Sequence, residues 1–285
     1  MQNKFAHITE IAQTMRTGLT FLFVVAISCC FAAKVDTVSV FSNSMLKNIK
    51  SSVVTPDGYD ITKKYPVVYL LHGYSGSYKD WIKDSVSENL ADRYNIIIVC
   101  PDGGFNSWYF DSPIEKSSQY ETHITKELIP WIDKNYSTIA NKAGRGISGL
   151  SMGGHGALYL AFRHQDLFGT AGSMSGGVDI RPFPDNWEIK KQLGNYKDNQ
   201  LIWKENTIVN MLHLLTPNSL ALIIDCGTAD FFYKLNCELH EKMLNMNISH
   251  TFISRSGTHD WNYWKNAVKY HILFMSEFFE HNISQ

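Results

Sequence analysis

The chain has 285 residues, of which 44% are hydrophobic and 19% are charged, and its formal net charge is −1. This length and apolar content suffice for one large α/β domain with a full core. A net charge near zero argues against nucleic acid as the main partner, and five scattered cysteines argue against a disulfide framework or a zinc site.

The N-terminal 33 residues have the pattern of an export signal. Met15 and Arg16 precede an apolar run at residues 19–31, which matches a signal-peptide core and is shorter than a membrane span of roughly twenty residues. Small residues follow at Ala32 and Ala33, where we expect cleavage. The stretch before Met15 is polar, which is unusual for a signal and favours Met15 as the true start.

We therefore predict that residues 1–33 form a leader and that the protein is exported, either to the periplasm or to the medium. Cys29 and Cys30 leave a lipid-anchored form as an alternative, although the residues at 26–28 fit a lipoprotein signal only loosely. An uncleaved anchor helix is the third interpretation.

From residue 34 onward, apolar runs alternate with helical patterns, without repeats or low-complexity linkers. Strands that alternate with helices indicate a mostly parallel central sheet with helices on both faces. We therefore expect a single α/β domain over residues 34–285. The patterns predict strands at residues 38–41, 49–54, 65–71, 94–100, 143–148, 170–175, 220–226 and 250–254, and helices at residues 120–136, 154–162, 235–246 and 261–279.

Two stretches depart from this regularity. Pro130 lies inside the predicted helix at residues 120–136 and is expected to kink or break it, because proline lacks an amide N–H. Residues 177–217, which include Pro182 and Trp187, show the least regular pattern. We expect this region to cross the mouth of the active site as an insertion.

Residues 149–153 read Gly-Leu-Ser-Met-Gly, the G-x-S-x-G form of a nucleophile elbow. A predicted strand precedes Ser151 and a predicted helix follows it, which is the context that the motif needs. The turn is so tight that side chains have no room two positions before and after the serine, hence Gly149 and Gly153. The hydroxyl then stands clear of the backbone, in front of a helix N-terminus that favours developing negative charge. We predict Ser151 as the nucleophile.

In an α/β-hydrolase the acid and then the histidine follow the serine along the chain. His259 comes directly after the last predicted strand and before the last helix, at the sheet edge where ligands bind in open α/β folds. His240 and His271 fall inside predicted helices, and His155 precedes any candidate acid. We therefore predict His259 as the base, His240 and His271 as surface or packing residues, and His155 as a structural residue or a support of the site.

The acid is expected after the strand at residues 220–226, which leaves Asp225 and Asp230. Asp225 is still within the strand, whereas Asp230 lies in the following loop, from which a carboxylate can reach the imidazole. We favour Asp230. The acid fixes the histidine tautomer and stabilises the imidazolium, while His259 takes the Ser151 proton.

An oxyanion hole needs two backbone N–H groups. One belongs to Met152, the residue after the nucleophile. The other is expected in the loop after the strand at residues 65–71, and we choose Tyr74, because Gly73 lets the backbone approach the substrate closely. His72 is predicted to be structural.

Taken together, these motifs resemble the esterase D family, which includes S-formylglutathione hydrolases, feruloyl and acetyl xylan esterases, tributyrin esterases and mycolyltransferase antigens. The resemblance implies the α/β-hydrolase fold, the triad Ser151, Asp230 and His259, and oxyanion amides at Tyr74 and Met152. Reasoning from the residues alone reaches the same five positions. The resemblance extends from about Ser39 to the C-terminus and rests on residues 65–73, 101–104, 127–130, 149–154, 226–230 and 257–261.

Members of this family act on several substrates, so the substrate of this chain must be predicted from other features of the sequence. An exported chain fits poorly with formylglutathione, a cytosolic metabolite. Trp108 and Tyr109 follow a strand at the catalytic edge and Trp261 lies beside His259, so we expect these three to line an aryl or sugar pocket. We predict an exported carboxylic-ester hydrolase that releases feruloyl or acetyl groups from polysaccharide or small esters. No metal, cofactor or obligate protein partner is expected.

Three alternatives stay open. The same triad can serve an acyltransferase that uses a sugar or glycerol hydroxyl, or a thioesterase similar to S-formylglutathione hydrolase. The fold can also serve a non-catalytic glycan-binding module. Product analysis with an acceptor alcohol tests for the acyltransferase. The effect of Ser151→Ala on turnover tests for the non-catalytic glycan-binding module.

Overall fold

The computed structural model describes residues 33–283. The predictions that concern Met15, Cys29, Cys30 and cleavage at Ala32 lie outside these residues. Across the part of the chain that is described, no helix is both long and apolar enough to cross a bilayer.

A single eight-stranded sheet runs through the described residues. Its first two strands pair antiparallel with each other, the second pairs antiparallel with the fourth, and all other neighbours are parallel. The order across the sheet is β1-β2-β4-β3-β5-β6-β7-β8. The strands are β1 (Lys34–Ser42), β2 (Lys47–Thr55), β3 (Val67–Leu71), β4 (Ile97–Pro101), β5 (Arg145–Gly149), β6 (Thr170–Met174), β7 (Ala221–Gly227) and β8 (Thr251–Arg255).

Helices cover both faces of this sheet, as the alternation of patterns predicts. Every residue of β3, β4, β5 and β6 is buried, because helices pack against both of their faces. The helices are α1 (Val86–Tyr94), α2 (residues 120–135), α3 (Met152–Arg163), α4 (Ile189–Leu193), α5 (Gln200–Glu205), α6 (Ile208–Met211), α7 (Tyr233–Asn245) and α8 (Trp261–Ile283).

Successive side chains of the central strands point into two different cores. Val67 and Tyr69 of β3 belong to the cluster that α3 fills with Leu158 and Leu160. Val68 and Leu70 belong to the opposite cluster, which contains Val268 and Ile272 of α8. The period of two along a strand produces this division. Helices thus pack on both faces of the sheet, and the loops at its carboxyl edge start from well-packed strands.

Pro130 does not break its helix. The segment at residues 120–135 consists of an α-helical turn at Tyr120–Thr122, a π-helical part at His123–Leu128 and an α-helix at Ile129–Asn135. The Ile129 N–H donates to the Ile124 carbonyl, five residues back. This wider turn accommodates the missing donor at Pro130, so the helix changes its winding instead of ending.

The region at residues 177–217 is more regular than its sequence suggests. It contains the three short helices α4, α5 and α6. Its predicted position is nevertheless confirmed in one respect, because Trp187 at its start lines the cavity at Ser151.

Candidate active site

Ser151 lies in the sharp turn between β5 and α3. Its backbone has φ 54° and ψ −116°, a conformation that L-residues rarely adopt. A Cβ at Gly149 would lie 2.4 Å from the Gly153 carbonyl oxygen, and a Cβ at Gly153 would lie 2.5 Å from the Leu71 carbonyl oxygen. The predicted lack of room on both sides of the serine is therefore confirmed.

His259 connects Ser151 to Asp230. The His259 Nε2 is 2.9 Å from the Ser151 Oγ, and the His259 Nδ1 is 2.8 Å from the Asp230 Oδ2. A carboxylate can only accept, so Nδ1 carries the proton and Nε2 is free to accept the serine hydroxyl proton. The three side chains thus form one hydrogen-bonded line, which is the arrangement that a nucleophile, a base and an orienting acid require.

Asp230 is held in place by the backbone around it. Its second oxygen accepts the Phe232 N–H at 2.8 Å, at the entry to α7, and its side chain is buried. A buried carboxylate that accepts both an N–H and an imidazole N–H is fixed in orientation. This carboxylate in turn fixes the plane of the His259 ring.

The other candidate acid, Asp225, has different partners. Its carboxylate pairs with Arg255 at 2.7 Å and accepts the hydroxyl of Tyr263, and it is fully buried. Arg255 and Tyr263 thus occupy both oxygens of Asp225. Of the two acids left by the sequence, only Asp230 contacts the histidine.

The two backbone N–H groups predicted for the oxyanion hole belong to segments that lie next to the serine. Met152 is the first residue of α3, where amide groups have no acceptor within the helix. Tyr74 follows β3, and among the described residues nothing accepts its N–H. A Cβ at Gly73 would lie 2.7 Å from the Leu150 Cδ1 and 3.5 Å from the Ser151 Cβ. The loop therefore approaches the elbow closely enough for both amides to serve one oxyanion.

His72 and His155 are both buried beneath the site. The Gly103 N–H donates to the His72 Nε2 at 2.7 Å, which assigns the proton to Nδ1 beside the Gly73 carbonyl at 2.7 Å. The His155 Nδ1 is 2.9 Å from the Gly177 carbonyl, and burial lowers the pKa of His155 to about 4. Both rings are uncharged and hydrogen-bond to the backbone of neighbouring loops, in agreement with the structural roles predicted for them.

An aromatic cavity of about 280 Å³ opens at Ser151 and His259. Trp261 lines it, as expected, and so does the adjacent Trp264, whose ring is 4.9 Å from the imidazole. Phe231 also lines the cavity; its ring centroid is 4.3 Å from that of His259, and it is 54% exposed. The cavity can therefore hold an apolar or aryl group next to the reacting atoms.

Trp108 and Tyr109 do not line this cavity, and their assignment to substrate binding is wrong. Trp108 is 1% exposed and packs against His155, while the fully buried Tyr109 donates its hydroxyl to the His72 carbonyl oxygen at 3.1 Å. Both residues have positive φ, 53° and 62°, which turns this loop inward. They support the site from below instead of contacting a ligand.

Trp187 and Phe231 take the places that the sequence assigned to Trp108 and Tyr109. Their rings stack with centroids 5.8 Å apart, and both line the cavity. Phe231 directly follows the acid Asp230, so its position could have been inferred from the motif around Asp230. No comparable pattern marks Trp187, which lies in the insertion.

The chain is similar in sequence and in structure to known esterases. A family model described as "Putative esterase" matches residues 42–273, a range that includes Ser151, Asp230 and His259. A solved structure of a ferulic acid esterase superposes with a TM-score of 0.77 at 31% identity, and covers 87% of this chain and 99% of that one. The similarity confirms the α/β-hydrolase fold.

Two relatives known by sequence differ in how much of them the chain covers. An acetyl esterase of Caldicellulosiruptor saccharolyticus is 28% identical over an alignment of 222 residues, which covers 74% of this chain and 83% of that protein. An endo-1,4-beta-xylanase/feruloyl esterase of Xylanibacter ruminicola is 34% identical over an alignment of 158 residues, which covers 50% of this chain and 22% of that longer protein.

Proposed function

Because this chain belongs to the putative esterase family, we propose that it is a serine carboxylic-ester hydrolase that forms an acyl-enzyme on Ser151. The observation that carries the proposal is the contact of one imidazole with both the Ser151 hydroxyl, at 2.9 Å, and the Asp230 carboxylate, at 2.8 Å. Such a line of nucleophile, base and acid serves acyl transfer on unrelated folds.

In the first half of the reaction, the Ser151 Oγ attacks the ester carbonyl carbon while His259 takes its proton. The carbonyl oxygen becomes an oxyanion, which accepts the N–H groups of Tyr74 and Met152. His259 then donates the proton to the leaving alcohol oxygen, the carbon–oxygen bond breaks, and the acyl group remains on Ser151.

In the second half, a water molecule replaces the alcohol. His259 takes a proton from the water, whose oxygen attacks the acyl carbon, and the same two amides hold the second oxyanion. His259 returns the proton to the Ser151 Oγ as the acid departs. The Asp230 carboxylate accepts the Nδ1–H in both halves and stabilises the imidazolium.

The cavity supports an aryl or short acyl ester as the substrate. Aromatic side chains of Trp187, Phe231, Trp261 and Trp264 surround Ser151 in a space of about 280 Å³. Relatives are named acetyl esterase and ferulic acid esterase. We infer that the enzyme releases feruloyl or acetyl groups from polysaccharide or small esters.

Turnover by purified protein tests the chemistry. Wild type is expected to hydrolyse p-nitrophenyl acetate and methyl ferulate, and Ser151→Ala is expected to lose at least about 10³-fold in kcat. Ser148→Ala is the matched control and should retain activity, because the Ser148 Oγ hydrogen-bonds the His271 Nδ1 at 2.8 Å instead of His259. Turnover that persists in Ser151→Ala contradicts the proposed nucleophile.

A substrate panel separates the remaining alternatives. Methyl ferulate, acetylated xylan, tributyrin and formylglutathione are compared by kcat/KM, and we expect one of the first two to be preferred. Product analysis in the presence of glycerol detects acyl transfer, because a transferase yields acylglycerol in place of free acid. Absence of turnover on the whole panel favours a glycan-binding module.

We propose export on the basis of the leader pattern in residues 1–33. N-terminal sequencing of protein recovered from the medium or periplasm is expected to begin close to Ala33. An intact Met1 or Met15 on the recovered protein contradicts cleavage, and labelling by radioactive palmitate identifies the lipid-anchored form.

A further inference from the structure

A second cavity, of about 270 Å³, lies next to the serine cavity and has no part in the reaction described above. Phe105 lines the second cavity, and Tyr74 lines the first. Their ring centroids are 4.9 Å apart, and the Ser75 N–H donates to the Phe105 carbonyl oxygen at 2.8 Å. One aromatic pair and one hydrogen bond therefore separate the two cavities.

Phe105 is 56% exposed, whereas the three residues Trp108, Tyr109 and Phe110 of the same loop are buried. A single exposed phenylalanine is common on protein surfaces. This one differs because, together with the ring of Tyr120, it forms the apolar part of a cavity whose other side chains are polar. That combination is typical of sites that bind small molecules.

The polar wall is a connected row of side chains. The Gln192 amide donates to the Asn106 Oδ1 at 3.2 Å, and the Asn106 amide donates to the Glu188 Oε2 at 2.8 Å. Gln192 is only 3% exposed, and its amide oxygen has no hydrogen-bond partner among the described residues. A buried amide oxygen without a donor is costly, so a ligand hydroxyl at this wall is stabilising.

The lysines of the cavity are already engaged. The Lys191 Nζ pairs with Glu188 at 2.5 Å, and the Lys47 Nζ donates to the Ser117 carbonyl oxygen at 2.8 Å and lies 5.3 Å from the centre of the Tyr120 ring. A charged ligand would have to displace these partners. The lining therefore favours a neutral ligand with hydroxyl groups and one apolar face, which is the chemistry of a sugar ring.

We propose that this second cavity binds a sugar unit of the polysaccharide whose acyl group is removed at Ser151. The inference rests on the proposed function, because it places the acyl group in the aromatic cavity and the carbohydrate side of the ester beyond Tyr74. Phe105 then stacks on the sugar ring, and the amides of Asn106 and Gln192 face its hydroxyls. The cavity selects acylated carbohydrate over simple alkyl esters.

The test compares two esters of the same acid, methyl ferulate and a feruloylated arabinoxylo-oligosaccharide. Phe105→Ala is expected to lower kcat/KM on the oligosaccharide by about tenfold, mainly through KM, and to leave methyl ferulate within about twofold. Phe105→Trp should restore the preference. Leu244→Ala, which removes a side chain of similar exposure (51%) that lines neither cavity, is the matched control.

Calorimetric titration of the acyl-free arabinoxylo-oligosaccharide tests the subsite without turnover. We expect wild type and Ser151→Ala to bind it equally and Phe105→Ala to bind about tenfold more weakly. Equal loss on both esters, no loss on either, or equal binding by Phe105→Ala overturns the subsite. A protein that binds the oligosaccharide through Phe105 but hydrolyses no ester refutes the proposed function and leaves the subsite standing.

Discussion

The hydrogen bonds of Asp230 predict a specific effect of Asp230→Asn on the tautomer of His259. The Asp230 Oδ1 accepts the buried Phe232 N–H, and the Oδ2 accepts the His259 Nδ1–H. An asparagine must keep its carbonyl oxygen toward the Phe232 N–H, since no other acceptor in residues 33–283 serves that donor. Its NH₂ group then faces Nδ1, which forces the proton onto Nε2 and removes the acceptor for Ser151.

The expected loss is about 10⁴-fold in kcat, the size seen when a triad histidine is held in the wrong tautomer, or about 5.5 kcal/mol of barrier. The isosteric amide keeps the Phe232 hydrogen bond, so the thermal midpoint should change little. Steady-state hydrolysis of p-nitrophenyl acetate and a thermal melt of the same preparation measure both quantities.

Asp225→Asn is the control, because both carboxylates are buried and the two residues are only five positions apart in the chain. Its loss leaves Arg255 without its partner and should cost about 3 kcal/mol, or roughly 6–12 °C in thermal midpoint. Activity per folded molecule should remain close to that of wild type. If Asp225→Asn abolishes turnover while Asp230→Asn retains it, the assignment of the acid is wrong.

Two further predictions concern the oxyanion loop and the buried histidines. Gly73→Ala places a Cβ 2.7 Å from the Leu150 Cδ1 and should displace the Tyr74 N–H, lowering kcat about 100-fold with little change in KM; an unchanged kcat refutes the role of this loop. Burial lowers the pKa of His155 to about 4 and of His271 to about 3, so the unfolded chain takes up these protons first and stability falls as the pH drops from about 6.5 toward 4. His271→Leu should reduce that slope by about 1.4 kcal/mol per pH unit in urea unfolding between pH 6 and pH 4, and an unaltered slope contradicts the buried, neutral state of His271.

The sheet and the residues around Ser151 could be predicted because they depend on local rules. Continuous apolar runs mark strands buried on both faces, and the carboxyl ends of parallel strands share one edge. Residues in the loops after β5, β7 and β8 therefore lie at the same edge of the sheet, independently of the structure of the other loops. Ser151, Asp230 and His259 each lie in such a loop.

The substrate-facing side chains could not be predicted in the same way. A position after a strand places a residue at the correct edge, but it does not determine which way the side chain points. Trp108 and Tyr109 turn inward because both adopt positive φ, which no pattern in the sequence marks. Trp187 reaches the cavity through an insertion whose path depends on tertiary packing alone.

The sequence pattern also does not predict helix α1. Its sequence, Val86–Tyr94, contains only Leu90 and Ala91 as buried apolar residues, so the apolar period is too short to recognise. Contacts with α8 and with the strands below it stabilise this helix, and such contacts are invisible in a local window.

The backbone at Ser151 has a consequence for the stability of this protein. A residue held at φ 54° and ψ −116° disfavours the folded state by about 1–3 kcal/mol. The Ser151 N–H bond to the Met174 carbonyl at 2.9 Å and the two flanking glycines hold that conformation. Ser151→Gly is expected to raise the thermal midpoint, because glycine adopts this conformation without the Cβ penalty. Folding stability alone therefore favours glycine at the position where the proposed reaction needs a serine hydroxyl.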